Sequence, residues 1–260
     1  MENRDRELAR TAMLAGEIML VSGAEIARIE ETIHYILSVA DREAQTMVFS
    51  TGIFVTLRAD GEEPITLVRR VTDRATNLNR ICQVNEISRR ICAGAMTVQE
   101  ALARLEEVKR VNQYGLAAKG VSYIWVALFF GVVLGGTPWD CLGAAMVGAA
   151  LGTVVYASSR LRLNGFCVNA LGAFACGITA LLLNRFALPQ INRDIVIVSS
   201  IMPLVPGVIF TTAVRDTLNG DYSSGAARML EAVVVALAVA AGVGASMALF
   251  RYLTGGGAAW

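Results

Sequence analysis

Between Ile195 and Leu218 the chain reads IVIVSSIMPLVPGVIFTTAVRDTL, a membrane-length apolar segment interrupted by Pro203, Pro206 and Gly207. Each proline lacks an N–H, and its ring clashes with the carbonyl four residues back, which loosens the carbonyls of Ser199 and Met202. Lipid offers no replacement partner, so a broken helix at membrane depth must line protein or a water-filled cavity. Transporters build substrate sites from such breaks. Gly207 opens a half-helix whose first N–H groups have no intrahelical acceptor and whose dipole favours an anion, so a carboxylate fits there. Ser199 and Ser200 before the break, and Thr211 and Thr212 one turn after it, add neutral hydroxyls. The loosened carbonyls suit a cation or a substrate ammonium. Pro203, Pro206, Gly207 and the four hydroxyl residues form the candidate substrate site; a kink that only shapes packing is the competing reading.

Charged residues follow the break. Arg215 and Asp216 end the segment, and Arg228 and Glu231 stand at the start of the last apolar stretch, as candidates for coupling or gating. A carboxylate entering an apolar span is costly unless paired. Arg228 lies three residues before Glu231, a neighbour on a helix surface. A structural Arg228–Glu231 or Arg215–Glu231 pair and a proton- or substrate-coupled carboxylate both fit.

Other chemistry is sparse. His34 is the only histidine, and the five cysteines form no C-x-x-C pair, so no metal site or cofactor is expected and the thiols read as structural. A hydrolase triad can be drawn from Ser50, His34 and Asp41 or Asp73, without the G-x-S-x-G elbow that would support it. Arg69, Arg70, Arg74 and Arg80 form a basic cluster able to bind an anionic ligand or to lie near acidic head groups; a solvated face is the simpler reading.

The elements that must position these residues divide in two. The chain has 260 residues, 55% of them hydrophobic, and most of its 23 basic residues precede Gly120. The expected architecture is a small cytoplasmic α+β domain, residues 1–115, followed by a membrane α-helical bundle of five spans, residues 116–260. The net charge of +1 points to no nucleic-acid partner. The N-terminus MENRDRELAR has no apolar signal core, so no cleaved leader is expected. In the first region, Leu8, Ala12, Ala15 and Met19 mark an amphipathic helix, and Ser22-Gly-Ala-Glu25 reads as a capping box opening a second one faced by Ile26, Ile29, Ile33, Ile36 and Leu37. Met47 and Phe49, then Ile53, Val55 and Leu57, alternate as strands; Asp60-Gly61 marks a turn to a strand with Ile65 and Leu67. Leu78, Ile81, Val84, Ile87 and Ile91 face a third helix that Gly94 ends, and Thr97-Val-Gln-Glu100 caps a fourth.

The five apolar segments are ~118–136, ~138–157, ~166–185, ~195–214 and ~230–250, each near the ~20 residues a span needs. Thr137-Pro138-Trp139-Asp140 joins the first two as a tight hairpin. Gly131-x-x-x-Gly135 and Gly148-x-x-x-Gly152 offer faces for close helix packing. Lys109, Arg110, Lys119, Arg160, Arg162, Arg215 and Arg228 place the N-terminus inside and the C-terminus outside, with Arg185 and Arg193 as contrary signals.

The chain resembles the threonine/serine exporter family, in its shorter YjjP-like form. The resemblance rests on Gly16-Glu17, Ser22-Gly-Ala-Glu25, Thr51-Gly-Ile-Phe, Val68-Arg-Arg-Val71, Val84-Asn-Glu-Ile-Ser-Arg-Arg90, Pro203-Leu-Val-Pro-Gly207, Gly220-Asp-Tyr-x-x-Gly225 and Glu231-Ala232. It implies a bacterial inner-membrane exporter subunit for small carboxylate-bearing metabolites: threonine and serine, or a dicarboxylate such as succinate. Full-length members carry two related membrane halves. A chain ending at Trp260 would hold the first, so the resemblance also implies a separate small membrane subunit or a homo-oligomer. A membrane-tethered hydrolase, or a regulatory or assembly subunit of a transporter, is the alternative.

Overall fold

The computed structural model describes residues 2–40, 42–58, 63–72, 74–111, 114–161 and 163–255, so Asp41, Asp60, Gly61, Asp73, Arg162 and Trp260 of the sequence reading lie outside the described residues. In chain order the elements are α1 (Glu2–Val21), α2 (Ile26–Leu37), β1 (Glu43–Phe49), β2 (Gly52–Arg58), β3 (Ile65–Arg70), α3 (Leu78–Cys92), α4 (Val98–Arg110) and α5 (Leu116–Val133). Then come α6 (Pro138–Arg160), α7 (Gly165–Leu182) running into a π-turn, α8 (Arg193–Ile201) ending in a 3-10 turn, α9 (Gly207–Leu218) and α10 (Tyr222–Leu253). The chain forms two compact units: Met1–Val111 with Gly207–Leu230, and Asn112–Pro206 with Glu231–Trp260.

In the first unit, an antiparallel sheet of order β1-β2-β3 carries helices on one face. The apolar stripe of α2, with Ile26, Ile29, Ile33, Ile36 and Leu37 fully buried, packs with Ala12, Ala15 and Met19 of α1 and with Ile53 and Val55 of β2. Thr97 and Glu100 form the reciprocal cap expected at the start of α4. Two local readings change. β1 buries Val48 and exposes Met47 and Phe49, because the strand is phased one residue from the apolar alternation. Phe49 instead meets Phe54 edge to face on the outer side, ring centroids 6.2 Å apart. Leu78, at the first turn of α3, is exposed. The segment from Tyr222 to Gly225 forms the first turn of α10.

In the second unit, α6, α7 and α8 share a core around Val147, Leu151, Ala173, Cys176 and Val196. Thr137 caps α6 reciprocally with Asp140, and the second oxygen of Asp140 accepts the N–H of Asn192, which itself caps α8. Asp140 is buried and ties together two helix starts 52 residues apart in sequence. A Cβ at Gly148 of α6 would stand 2.6 Å from the Tyr123 carbonyl of α5, so the close backbone crossing expected of that glycine is present. Gly135 is different: it lies beyond the end of α5 at φ 76°, in the turn that closes the helix, not on a packing face.

Among the described residues, three helices are long and apolar enough to cross a membrane: Pro138–Arg160, Gly165–Ala187 and Tyr222–Leu253; the bent pair Arg193–Leu204 and Gly207–Leu218 makes a fourth when counted as one span. The apolar helix Ala117–Val133 is shorter, about 26 Å at 1.5 Å per residue. Five spans are thus an expectation that the helix lengths meet only in part. α10, with 32 residues, runs about 48 Å, well beyond a hydrocarbon core of about 30 Å. Only 28% of its apolar window is buried within the chain, leaving surface suited to lipid.

Glu30 of α2 yields a test of the first unit. Its Oε1 accepts the Val48 N–H at 3.0 Å. Burial pushes its pKa above the ordinary carboxylate value, the Val48 N–H opposes the rise, and the nearby Asp221 charge adds to it. A carboxylate with a raised folded pKa favours folding below its unfolded pKa, and that advantage is lost as pH climbs through the folded value. Glu30→Gln keeps the acceptor and removes the charge. Its thermal midpoint should match the parent at acid pH and exceed it by a margin that grows as pH rises through the folded pKa and then levels off; a variant less stable than the parent at neutral pH contradicts this.

Candidate functional site

The break itself is shorter than a whole disrupted turn. α8 ends at Ile201, Met202–Leu204 form a 3-10 turn holding Pro203, and the Val205 N–H donates to the Met202 carbonyl at 3.2 Å. The Met202 carbonyl is therefore engaged, contrary to the expectation that Pro206 leaves it free. Ser199 and Ser200 are fully buried, and both hydroxyls donate to the Val196 carbonyl, at 3.1 and 2.7 Å. The Ser200 hydroxyl also reaches the Ala144 carbonyl of α6, at 3.4 Å, so both protons have acceptors inside the protein, and burial keeps them from solvent.

Beyond Pro206, α9 starts at Gly207, where an added Cβ would meet open space. Thr211 is exposed and donates to the carbonyls of Gly207 and Val208, each at 3.0 Å; Thr212 is buried and donates to Val208 at 2.6 Å. These hydroxyls retain lone pairs, so they serve a ligand as acceptors rather than donors. The donors at this end are the first N–H groups of α9.

The charged residues form an organised centre inside the first unit. Asp216, fully buried, accepts the Ile26 N–H at 3.0 Å through one oxygen and stands 3.3 Å from Arg228 Nε through the other. Arg228, 4% exposed, also donates to the Ala24 carbonyl at 2.8 Å. Arg215 pairs with Glu25. The Ser50 N–H donates to Ser224 Oγ at 3.1 Å, and Gly225 sits so tightly on α9 that a Cβ would stand 3.0 Å from the Ala213 carbonyl. Asp216 of α9 and Glu25 at the start of α2 each engage one of the two arginines. Glu231 is partly buried and opens the second unit.

This centre corrects the capping box read at Ser22-Gly-Ala-Glu25. α1 runs to Val21, and the Ala24 N–H returns to the Met19 carbonyl, so Ser22 and Gly23 close a helix instead of opening one. Ser22 Oγ is buried and has no hydrogen-bond partner among the described residues. Glu25 is the N-cap of α2 but makes no side-chain cap; the first N–H of α2 is satisfied by Asp216, 190 residues away. Spacing in the sequence carried no sign of that partner, although both segments contribute motifs to the family resemblance. Of the drawn hydrolase residues, His34 is exposed on α2, Ser50 is buried with its N–H on Ser224, and the two aspartates lie outside the described residues. The basic cluster disperses: Arg69 pairs with Glu17, Arg74 donates to the Ser50 carbonyl, and Arg80 donates to the carbonyls of Lys109 and Val111.

A model of the family described as "Putative threonine/serine exporter" matches residues 10–250. The "Probable threonine/serine exporter" of Mycobacterium tuberculosis is 22% identical over 248 residues, 92% of this chain and 45% of that protein. The "Threonine/serine exporter" of Corynebacterium glutamicum is 25% identical over 208 residues, 77% of this chain and 42% of that protein. The "Probable succinate transporter subunit YjjP" of Klebsiella aerogenes is 24% identical over 257 residues, 96% of each chain. The chain thus spans less than half the length of the first two relatives and nearly all of the third. No solved structure matches it.

The Asp216–Arg228 pair makes a direct prediction. Removing one member of a buried ion pair strands the other charge, at a cost of about 3–5 kcal/mol, whereas replacing both by apolar groups of similar volume is near neutral. Asp216→Ala should lower the thermal midpoint of the purified chain sharply. Asp216→Leu with Arg228→Met should recover much of the loss, short of the Ile26 N–H bond that no leucine replaces. Additive losses in the two single variants and the double variant would show that the residues do not act as a pair.

Proposed function

Because the chain belongs to the threonine/serine exporter family, we propose that it is the subunit of a bacterial inner-membrane exporter that carries the cytoplasmic domain, moving small carboxylate-bearing metabolites. The observation that carries the site is the fresh helix start at Gly207 immediately after Pro206. It presents N–H donors and a positive dipole end to an anion, with exposed Thr211 one turn on. Ser199, Ser200 and Thr212, buried and internally bonded, position the flanking helices; Pro206, Gly207 and Thr211 meet the substrate. A helix start binds one carboxylate, and the Thr211 lone pairs accept from an ammonium, so an amino acid uses both groups. A dicarboxylate uses only the first, and therefore binds more weakly at this end.

The five-span topology has support in the polar ties. Asp216 and Arg228 bind the start of α2 inside the first unit, which keeps the α9–α10 turn on the side of the N-terminal domain. Four crossings between them, by α5, α6, α7 and the broken pair, return the chain to that side; three would not. Asp140 joined to Asn192 likewise keeps the α5–α6 and α7–α8 turns together, which two crossings by α6 and α7 satisfy. α10 then crosses once more, and the weight of the basic residues, Arg185 and Arg193 apart, supports a cytoplasmic N-terminal side. A repeat-built transporter binds at the interface of its repeats, and a relative matched over 96% of its own length is described as a transporter subunit, which supports a second membrane subunit as partner.

Two measurements test this. Pro206→Ala with Gly207→Ala should restore a continuous helix, insert normally and abolish flux of threonine, serine and succinate from reconstituted vesicles holding the complete assembly; parental export by that variant removes the break from the mechanism. In a cysteine-free background, cysteines at Thr137 and Gly255 should react with an impermeant thiol reagent on intact cells and one at Arg160 should not. Labelling at Arg160 overturns the orientation.

A further inference from the structure

α1, α4 and β3 enclose an open cleft of about 1390 Å³ in the first unit. Its apolar lining includes Met13, Leu14, Pro64, Ile65 and Leu67. Cations outnumber acids around it and gather at two poles. At one, Glu17 holds both Lys109, at 2.7 Å, and Arg69, at 3.3 Å, with its own side chain 13% exposed. At the other, Glu106 stands 4.0 Å from Arg10 and 3.9 Å from Arg110, whose side chains are 71% and 82% exposed. Each pole sums two cations and one carboxylate, leaving one net positive charge. The remaining charged lining residues, Arg6 and Glu63, cancel.

We propose that this cleft binds a small organic dianion: two anionic groups, carboxylate or phosphate, on an apolar body that lies over Ile65 and Leu67. The first pole is the better ordered, because Glu17 is largely enclosed, holds Lys109 by a hydrogen bond and keeps Arg69 in ion-pair range. The second is held only by long, exposed ion pairs, which are weak in water. A ligand anion can take the place of Glu106 between Arg10 and Arg110, and arginine suits carboxylate and phosphate alike through paired N–H donors. The helix spacing explains the geometry. Arg6 and Arg10 are four apart on α1, and Glu106 and Arg110 four apart on α4, so each helix presents its charges on one edge. Such a site lets the abundance of a soluble metabolite, or of an acidic lipid head group with the same chemistry, act on the cytoplasmic domain.

The test uses the purified full chain in discs of neutral lipid, titrated calorimetrically with adipate as the dianion and butyrate as the monoanion. Adipate should bind saturably and butyrate much more weakly. Arg10→Ala with Arg110→Ala should weaken adipate by about tenfold or more, the scale of losing charge-assisted hydrogen bonds. Glu106→Gln should tighten it, since the competing carboxylate is gone; Arg104→Ala, whose partner is Glu107, should change nothing. Pro206→Ala with Gly207→Ala must leave adipate binding intact, which separates this cleft from the proposed export site. A second arm compares thermal midpoints in discs with and without cardiolipin, whose head group carries two phosphates. A rise in the parent that Arg10→Ala/Arg110→Ala lacks, without adipate binding, assigns the anion to a lipid head group. Equal behaviour of the parent and that double variant in both arms overturns the site, as does weakening by Glu106→Gln.

Discussion

The buried pair of Asp216 and Arg228 is the constraint on which the first unit's arrangement depends. Two full charges leave water, which is tolerable only if each finds its remaining hydrogen bonds. Asp216 finds the Ile26 N–H through one oxygen and Arg228 the Ala24 carbonyl, so the same short stretch of backbone between α1 and α2 bonds to both, while the second Asp216 oxygen has the Arg228 charge alone. That stretch can be met only if α1 stops at Val21, which is why Ser22-Gly-Ala-Glu25 does not form a local cap. The pair in turn requires α9 and the first turns of α10 to lie side by side, and Gly225 is the residue that allows it, with Ala213 and Thr217 pressed against its bare backbone. As a result α9 packs as part of the first unit, while α8, its neighbour in sequence, packs in the second. The proline break falls at that change of allegiance.

What could be read in the sequence was whatever local periodicity decides. The α2 stripe, the inward residues of β2 and the Thr97 cap each depend on residues a few positions apart, and each is present. What could not be read depends on distance. Met47 and Phe49 looked inward because they are apolar, yet the α2 packing takes Val48, and Phe49 finds Phe54 on the other face. Tyr222 to Gly225 carried turn-forming residues but belongs to α10, since the real turn closes earlier with the Asp221 N–H on the Asp216 carbonyl. At the candidate site the prolines and glycine announced the break. The 3-10 turn that engages the Met202 carbonyl, and the inward bonding of Ser199 and Ser200, had no sequence signal.

The same physics organises the second unit with different means. Lipid tails are as apolar as leucine, so helices gain little by hiding side chains from them, and association rests on close packing and polar ties. Gly148 lets α5 and α6 meet backbone to backbone, Gly242 does so for α10 and α7, and Gly177 of α7 makes room for the Ser246 side chain. Small residues alone permit such contacts at many registers. The register is set at the helix ends, where Asp140 caps α6 and holds Asn192, the cap of α8. An aspartate that serves the start of one helix while bonding the start of another fixes both axial positions at once. Asp216 does the same for α2 from the far end of the chain. In both units glycines set how near two helices come, and a buried carboxylate sets where along their length they stop.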